Sequence, residues 1–243
     1  MSEWSDKIAI ITGAGTGIGA AVAEAFIEKG ARIALVGRRK EKLEEVAEGC
    51  SQDQAICCPC DVSDRDSVNS MAEEVASRFG TVNVLVNNAG FNTKVRSLAD
   101  VVPEDWDKTV NINLTGAFNC IRAVLPGMRE LKDGLIINVS SIAGIRASVL
   151  GGVAYTASKH GMVALSLCTE LEEGENGIRC CAICPGEVET PILDERPVPV
   201  GPEHRARILQ PEDVAAAAVF VTTLPKRASV SELVIKPTLQ GFG

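Results

Sequence analysis

Apolar residues fall along the chain in two alternating patterns. Short β-branched runs occupy residues 7–12 (KIAIIT), 32–36 (RIALV), 54–60 (QAICCPC), 82–86 (VNVLV), 135–139 (LIINV), 177–184 (GIRCCAIC) and 232–235 (ELVI), and they predict seven strands. Between them the apolar positions take helical spacing: Ile18, Val22 and Phe26 at i, i+4 and i+8, and Val68, Met71, Ala72, Val75 and Phe79 along a second stripe. Strands that are apolar throughout, rather than every second residue, are buried on both faces. Their alternation with helices therefore predicts a parallel sheet between two helical layers. The even strand spacing, with no linker, repeat or low-complexity tract, predicts one domain over 1–243. One stretch breaks the pattern: residues 192–210 (ILDERPVPVGPEHRARILQ) show neither period, and a connection this long is expected to be a functional loop, variable over about 191–210. Pro211 then opens a further helix, where its missing N–H costs nothing.

Charge and composition narrow the function. With 24 Lys and Arg against 32 Asp and Glu the net charge is −8, the wrong sign for a nucleic-acid partner. No apolar run reaches the ~18 to 20 residues of a membrane span, and the first residues (MSEWSDK) lack the basic and apolar regions of a secretory signal, so a cytoplasmic location is expected. In that reducing setting nine cysteines read as small buried hydrophobes. Cys57/Cys60 and Cys181/Cys184 have CxxC spacing, but they fall on the third and sixth strands, and residues three apart on a strand face opposite sides of the sheet. No metal is expected. His160 and His204 lack partners for a metal or a catalytic triad and are read as packing or solvent-facing residues.

The candidate chemistry starts at the first strand, which runs through Thr12, Gly13, Gly15, Thr16, Gly17, Ile18 and Gly19 straight into a helix. Glycine lets an anion approach the backbone, and a helix N-terminus offers free N–H groups to it. A GxGxxG fingerprint is not met, because Ile18 and Ala20 stand where its third glycine would be. Tyr155, the only tyrosine, precedes Lys159 by one helical turn, so the two share a face. An ammonium on the same face favours the phenolate, so Tyr155 could donate a proton near neutral pH if its pKa falls from about 10 by about 3 units.

With TGxxxGxG at 12–19, Asn87-Asn88-Ala89-Gly90 after the fourth strand, Ser141 upstream of Tyr155 and Lys159, and PGEVET at 185–190, the chain resembles the short-chain dehydrogenase/reductase family. The motifs appear in the family's order over essentially the whole length. The resemblance implies a Rossmann-type, doubly wound three-layer fold with strand order 3-2-1-4-5-6-7 and a nicotinamide-dependent oxidoreductase acting on a small carbonyl or secondary alcohol. It implies catalytic roles for Ser141 on the substrate carbonyl, Tyr155 as acid, Lys159 on Tyr155 and the nicotinamide ribose, and Asn113 on a relay water. Cofactor contacts are implied at Gly13, Thr16, Gly17, Ile18, Gly19, Asp61 and Val62; at Asn88, Ala89 and Gly90; and at Tyr155, Lys159, Pro185, Gly186, Val188 and Thr190. Asp61 would accept from the adenine amino group, while Val188 and Thr190 would hold the carboxamide. Ser140 competes with Ser141, and the family's SxxG pattern selects Ser141 with Gly144. The Ser141–Tyr155 interval is one longer than is commonest in the family, which places an extra residue in 145–153. A homo-oligomer, a tetramer or a dimer, is implied through the helices after strands four and five, with VALSLCTEL (163–171) as the apolar face.

Cofactor choice is read from the end of the second strand. An acidic residue there binds the ribose 2′-OH of NAD and repels a 2′-phosphate. Here Gly37 is followed by Arg38, Arg39 and Lys40, so NADP(H) is expected over NAD(H), with Arg38 the first candidate for the phosphate and Arg39 the second. The C-terminal segment ELVIKPTLQGFG looks like the branch acting on small 3-hydroxy acids, which leaves 3-oxo or 3-hydroxy acids and acyl compounds among the expected substrates. Arg96, Arg146, Arg196, Arg205 and Arg207 are candidates for a carboxylate clamp. A non-catalytic NADP-binding sensor is the alternative reading, favoured by loss of Tyr155 or Lys159; both are present.

Overall fold

All seven strands form. The computed structural model describes residues 4–241, so the first residues of the N-terminal reading and the last two of the C-terminal one lie outside it. The strands are β1 (Ile8–Thr12), β2 (Arg32–Gly37), β3 (Ala55–Pro59), β4 (Val84–Asn87), β5 (Gly134–Val139), β6 (Ile178–Pro185) and β7 (Glu232–Ile235). They make one parallel sheet in the order β3-β2-β1-β4-β5-β6-β7, as expected. β4 begins at Val84 rather than at residue 82, because the Asn83 side chain accepts the Ile8 N–H (3.0 Å) and donates to the Asp6 carbonyl (3.1 Å) as a bracket below β1.

The double burial read from the apolar runs is visible along β1. Ala9 and Ile11 face one core, shared with α1 (Gly17–Glu28), Leu43 of α2 (Lys40–Val46) and α8 (Pro211–Thr223). Ile8 and Ile10 face the other, with α3 (Arg65–Phe79) and α5 (Gly116–Leu131). Val22 and Phe26 of α1 and Val68, Met71, Val75 and Phe79 of α3 are buried, the stripes their spacing predicted. Asp64 caps α3 by accepting the Asp66 and Ser67 N–H groups (3.0 and 3.5 Å).

Three features position the site. α4 (Pro103–Val110) runs into α5 through a π turn, Asn111–Thr115, a geometry that leaves Asn113 wholly buried and off the helical face it would otherwise share. α6 (Val153–Glu173) starts immediately after Gly152, whose φ of +78° suits glycine. Residues 192–210 are more ordered than their lack of period predicts: a 3₁₀ turn at Pro191–Glu195 and α7 (Pro202–Arg205) each begin on proline, which presets helical φ. A parallel bridge between Val188 and Leu209 closes the base of the excursion.

Candidate active site

Ligands of open parallel sheets bind beyond the carboxyl ends of the strands where the connections diverge, here between β1 and β4. A cleft of about 400 Å³ opens there. Thr12 fastens the two strand ends: its hydroxyl donates to the Val86 carbonyl (3.3 Å) and accepts the N–H groups of Asn88 and Ala89 (3.0 Å each). The Asn88 amide returns to the carbonyls of Thr12 (3.1 Å) and Gly13 (3.3 Å), so the glycine turn is clamped from its neighbour strand. Gly13 sits at φ +66°, and a Cβ on it would lie 2.9 Å from the Asn88 amide; a Cβ on Gly19 would strike the Gly13 carbonyl. Glycine there is what allows α1 to abut the turn. Thr16, at the N-cap of α1, makes no side-chain cap, and the first turn carries no acid. The helix therefore presents uncapped N–H groups and its positive end to the cleft, a fit for a dinucleotide pyrophosphate.

Gly13, Thr16, Gly17, Ile18, Arg38, Arg39, Asp61, Val62, Asn88, Ala89, Gly90, Tyr155, Lys159 and Thr190 all line this cleft. Arg38 and Arg39 are exposed at its rim. Lys40 is instead drawn to Glu44 of α2 (3.3 Å) and does not line the cleft, so the basic group at the end of β2 is two arginines with Lys42, itself bonded to Glu45. Asp61 serves its own turn as well, accepting the Ser63 N–H (2.9 Å) and hydroxyl (2.6 Å). Those bonds, with the positive charge of Arg38, hold its carboxyl below the usual range. Gly19 lies beneath the turn rather than in the cleft, and Pro185, Gly186 and Val188 line a second, adjoining cavity.

That smaller cavity, about 160 Å³, contains Ser141 and shares Tyr155, Ser140, Thr190 and Ile18 with the cleft. Tyr155 stands at the junction. Ser141 accepts the Ala143 N–H (3.1 Å) and lies in the same cavity as the Tyr155 phenol, whereas Ser140 donates to the Lys159 carbonyl (3.0 Å). Lys159 is buried one turn beyond Tyr155, its Nζ 5.6 Å from the phenol ring and donating to the Val139 carbonyl (2.8 Å). Burial pulls its pKa down to about 8. Burial also raises the pKa of Tyr155, against which the Ser141 hydroxyl and the charge of Arg96 act. The depressed phenol expected from the sequence is thus not reached by the chain alone; desolvation outweighs the charges around it.

Asn113 lies behind this group. Its Oδ1 accepts the Phe91 N–H (2.7 Å), and its Nδ2 donates to the Phe91 carbonyl and the Ser158 hydroxyl (3.0 Å each). A Cβ on Gly90 would lie 3.7 Å from Asn113 Oδ1 and 3.9 Å from Lys159 Nζ, so both flank that glycine. The backbone carbonyl it bonds belongs to the β4–α4 connection and not to its own helix.

Several lining residues escape sequence reading: Phe91 and Asn92 from the connection after β4, Ile112 from the π turn, and Pro191, Ile192 and Glu195 from the 3₁₀ turn. His204 is exposed, as read. It has a carboxylate partner, with its Nε2 2.6 Å from Glu187. His160 is exposed and bonds the Thr156 carbonyl (2.9 Å). Cys57 packs with one core and Cys60 with the other, on a strand five steps from that of Cys181 and Cys184. Burial pushes Cys58, Cys120 and Cys181 up to about 12, leaving them protonated thiols at neutral pH. Among the described residues no helix is long and apolar enough to cross a membrane.

A family model described as short chain dehydrogenase matches residues 7–198. An uncharacterised oxidoreductase of Staphylococcus aureus is 33% identical over 237 residues, covering 98% of this chain and 100% of that protein. Among solved structures, a closed form of serine dehydrogenase complexed with NADP+ superposes with a TM-score of 0.88 at 30% identity, over 96% of both chains. A 3-ketoacyl-(acyl-carrier-protein) reductase from Brucella melitensis complexed with NADH gives 0.87 at 30% identity, over 95% of this chain and 96% of that one.

Proposed function

The chain belongs to the short-chain dehydrogenase family and is an oxidoreductase, and from that premise we propose that it moves hydride between NADP(H) and a small carbonyl compound or secondary alcohol. The observation that carries this reading is Tyr155 at the junction of the two cavities, with Ser141 beside it on the substrate side and Lys159 behind it on the nucleotide side.

When bound, the nicotinamide supplies or accepts the hydride. Ser141 and Tyr155 donate hydrogen bonds to the substrate oxygen, polarising the carbonyl, and Tyr155 passes its proton to the oxygen as negative charge develops. Lys159, protonated below about pH 8, stabilises the phenolate that remains and reaches the nucleotide ribose. Asn113, rigid in its π turn, holds a water in the proton path behind Lys159. Val188 and Thr190 orient the carboxamide, and Pro185 and Gly186 shape the wall beside it. The NADP preference is supported by Arg38 and Arg39 at the cleft rim where an acid would select NAD. Structural relatives carry either nucleotide, NADP+ in one and NADH in another.

The working unit is a homo-oligomer, a tetramer or a dimer, in the cytoplasm. Ala164, Leu167, Cys168 and Leu171 follow i, i+3, i+4 and i+7 along the exposed side of α6, and Phe118 is exposed on α5, so the chain alone leaves an apolar stripe uncovered.

Replacement of Tyr155 by Phe tests the mechanism. Turnover of a carbonyl panel, followed by absorbance of the reduced nucleotide, is expected to fall by at least about a thousandfold while nucleotide affinity, read by fluorescence, stays within about threefold. Substantial residual reduction by Tyr155→Phe would remove that residue from its role.

A further inference from the structure

Of the five arginines that the sequence offers as an anion clamp, the fold brings two to the substrate cavity. Arg205 is taken by Glu189 and Asp194 (2.5 Å each), and Arg146 and Arg207 lie exposed outside it. Arg96 and Arg196 line the small cavity together with Ser141 and Tyr155.

Arg96 is built into place. Its Nε donates to the Thr93 carbonyl (2.7 Å), Nη1 to the Leu150 carbonyl (2.7 Å) and Nη2 to the Glu195 carbonyl (2.8 Å), tying together three loops that wall the cavity. Its own carbonyl accepts the Val153 N–H (3.3 Å), two residues before Tyr155, and a Cβ on Gly152 would come within 2.5 Å of Arg96 Cβ. All three bonds end on neutral oxygens, so the guanidinium is oriented without being neutralised and keeps N–H donors to spare. The Glu195 carboxylate reaches toward Lys94 instead (3.8 Å).

Arg196, its side chain 13% exposed, bonds Glu187 through Nη2 (3.0 Å), and Glu187 also holds His204. Two half-buried guanidinium groups therefore face one cavity, where Glu187 is shared between Arg196 and His204 and the Glu195 carboxylate acts on Arg96 only through space. Burial first, and then the charge of Arg196, lower the pKa of Arg96, while Tyr155 and Glu195 act the other way. Like charges gathered in a desolvated space are unfavourable unless an anion joins them.

We propose that the smaller cavity selects substrates that carry a carboxylate beside the reacting carbonyl or alcohol, with Arg96 and Arg196 holding that carboxylate. The guanidinium plane suits bidentate recognition of two oxygens. The substrate class is then the small oxo and hydroxy acids, and the clamp sets the reacting carbon against Tyr155 by its opposite end. Both arginines are specificity-determining residues. This assignment rests on the oxidoreductase reading above.

The test compares matched acids and methyl esters, acetoacetate against methyl acetoacetate and the 2-oxo and 4-oxo counterparts, in the wild type, Arg196→Gln and Arg96→Lys. It is paired with calorimetric titration of malonate into the enzyme–nucleotide complex. In the wild type the acid is expected to exceed its ester in kcat/KM at least tenfold for one pair. Arg196→Gln should lower that acid-to-ester ratio at least tenfold, and Arg96→Lys should lower it less. Malonate should bind the wild-type complex and bind Arg196→Gln at least tenfold more weakly. Esters turned over as well as acids, or malonate binding absent or indifferent to Arg196, would overturn the clamp. Absence of turnover with every acid and ester would instead count against the redox reading, and the malonate titration would still decide the clamp.

Discussion

Lys159 is placed where a charge is useful for chemistry and unfavourable for folding, and the two effects separate in one variant. Burial lowers its pKa from 10.5 to about 8. Below about pH 8 the ammonium is present in both the folded and unfolded chains, and its folded form is disfavoured by about 3 kcal/mol, at about 1.4 kcal/mol per pKa unit. As pH rises from about 8 to 10.5 the folded chain loses the proton first, the unfolded chain holds more protons, and the penalty fades. Met matches the lysine stem without the charge. Lys159→Met therefore removes the penalty and loses the hydrogen bond to the Val139 carbonyl, which offsets about 1.5 kcal/mol.

The net expectation at pH 7 is a ligand-free protein more stable by about 2 kcal/mol, a Tm rise of about 4 to 8 °C for a chain of this length. By pH 9.5 about 2 kcal/mol of the advantage should be gone. Urea unfolding and calorimetric scans of wild type and Lys159→Met across that range measure it, with turnover expected to collapse in the same variant. A Lys159→Met protein equal to or less stable than wild type at pH 7, or an advantage that does not shrink with pH, would refute the claim that Lys159 is held at a folding penalty for its chemistry.

Two further outcomes follow from the cofactor and assembly readings. Arg38→Ala should lower the ratio of NADP to NAD catalytic efficiency by about ten- to a hundredfold, the worth of one charge-assisted contact of about 1.5 to 3 kcal/mol. A wild type that already prefers NAD would sink the phosphate assignment and leave Tyr155 untouched. Leu171, 85% exposed, makes little contribution within one chain, so Leu171→Asp should leave the fold intact and lower the mass found by light scattering at micromolar concentration. An unchanged mass, or a wild type that is already monomeric, would count against the α6 stripe as an interface.

What the sequence determined alone is the sheet and the reacting pair. A parallel strand buried on both faces must be apolar throughout, so the central strands were legible as runs; most ends shifted by one residue, and β4 starts two residues late where the Asn83 side chain takes the Ile8 N–H. Helical spacing placed Tyr155 and Lys159 on one face, and the accompanying motifs, by their resemblance to the family, gave that pair its role. The remainder depended on contacts between distant segments. Nothing in the local pattern marks the π turn that buries Asn113, since it is Phe91, from another loop, that completes its hydrogen bonds. Residues 192–210 lacked a period because their order comes from prolines and from Leu209 pairing back to Val188. Five arginines were equivalent as sequence. Only the tertiary structure gave Arg205 its carboxylates, tied Arg96 to carbonyls of three loops and brought it and Arg196 to the cavity of Tyr155, because a side chain's charge has a role only once its neighbours are fixed.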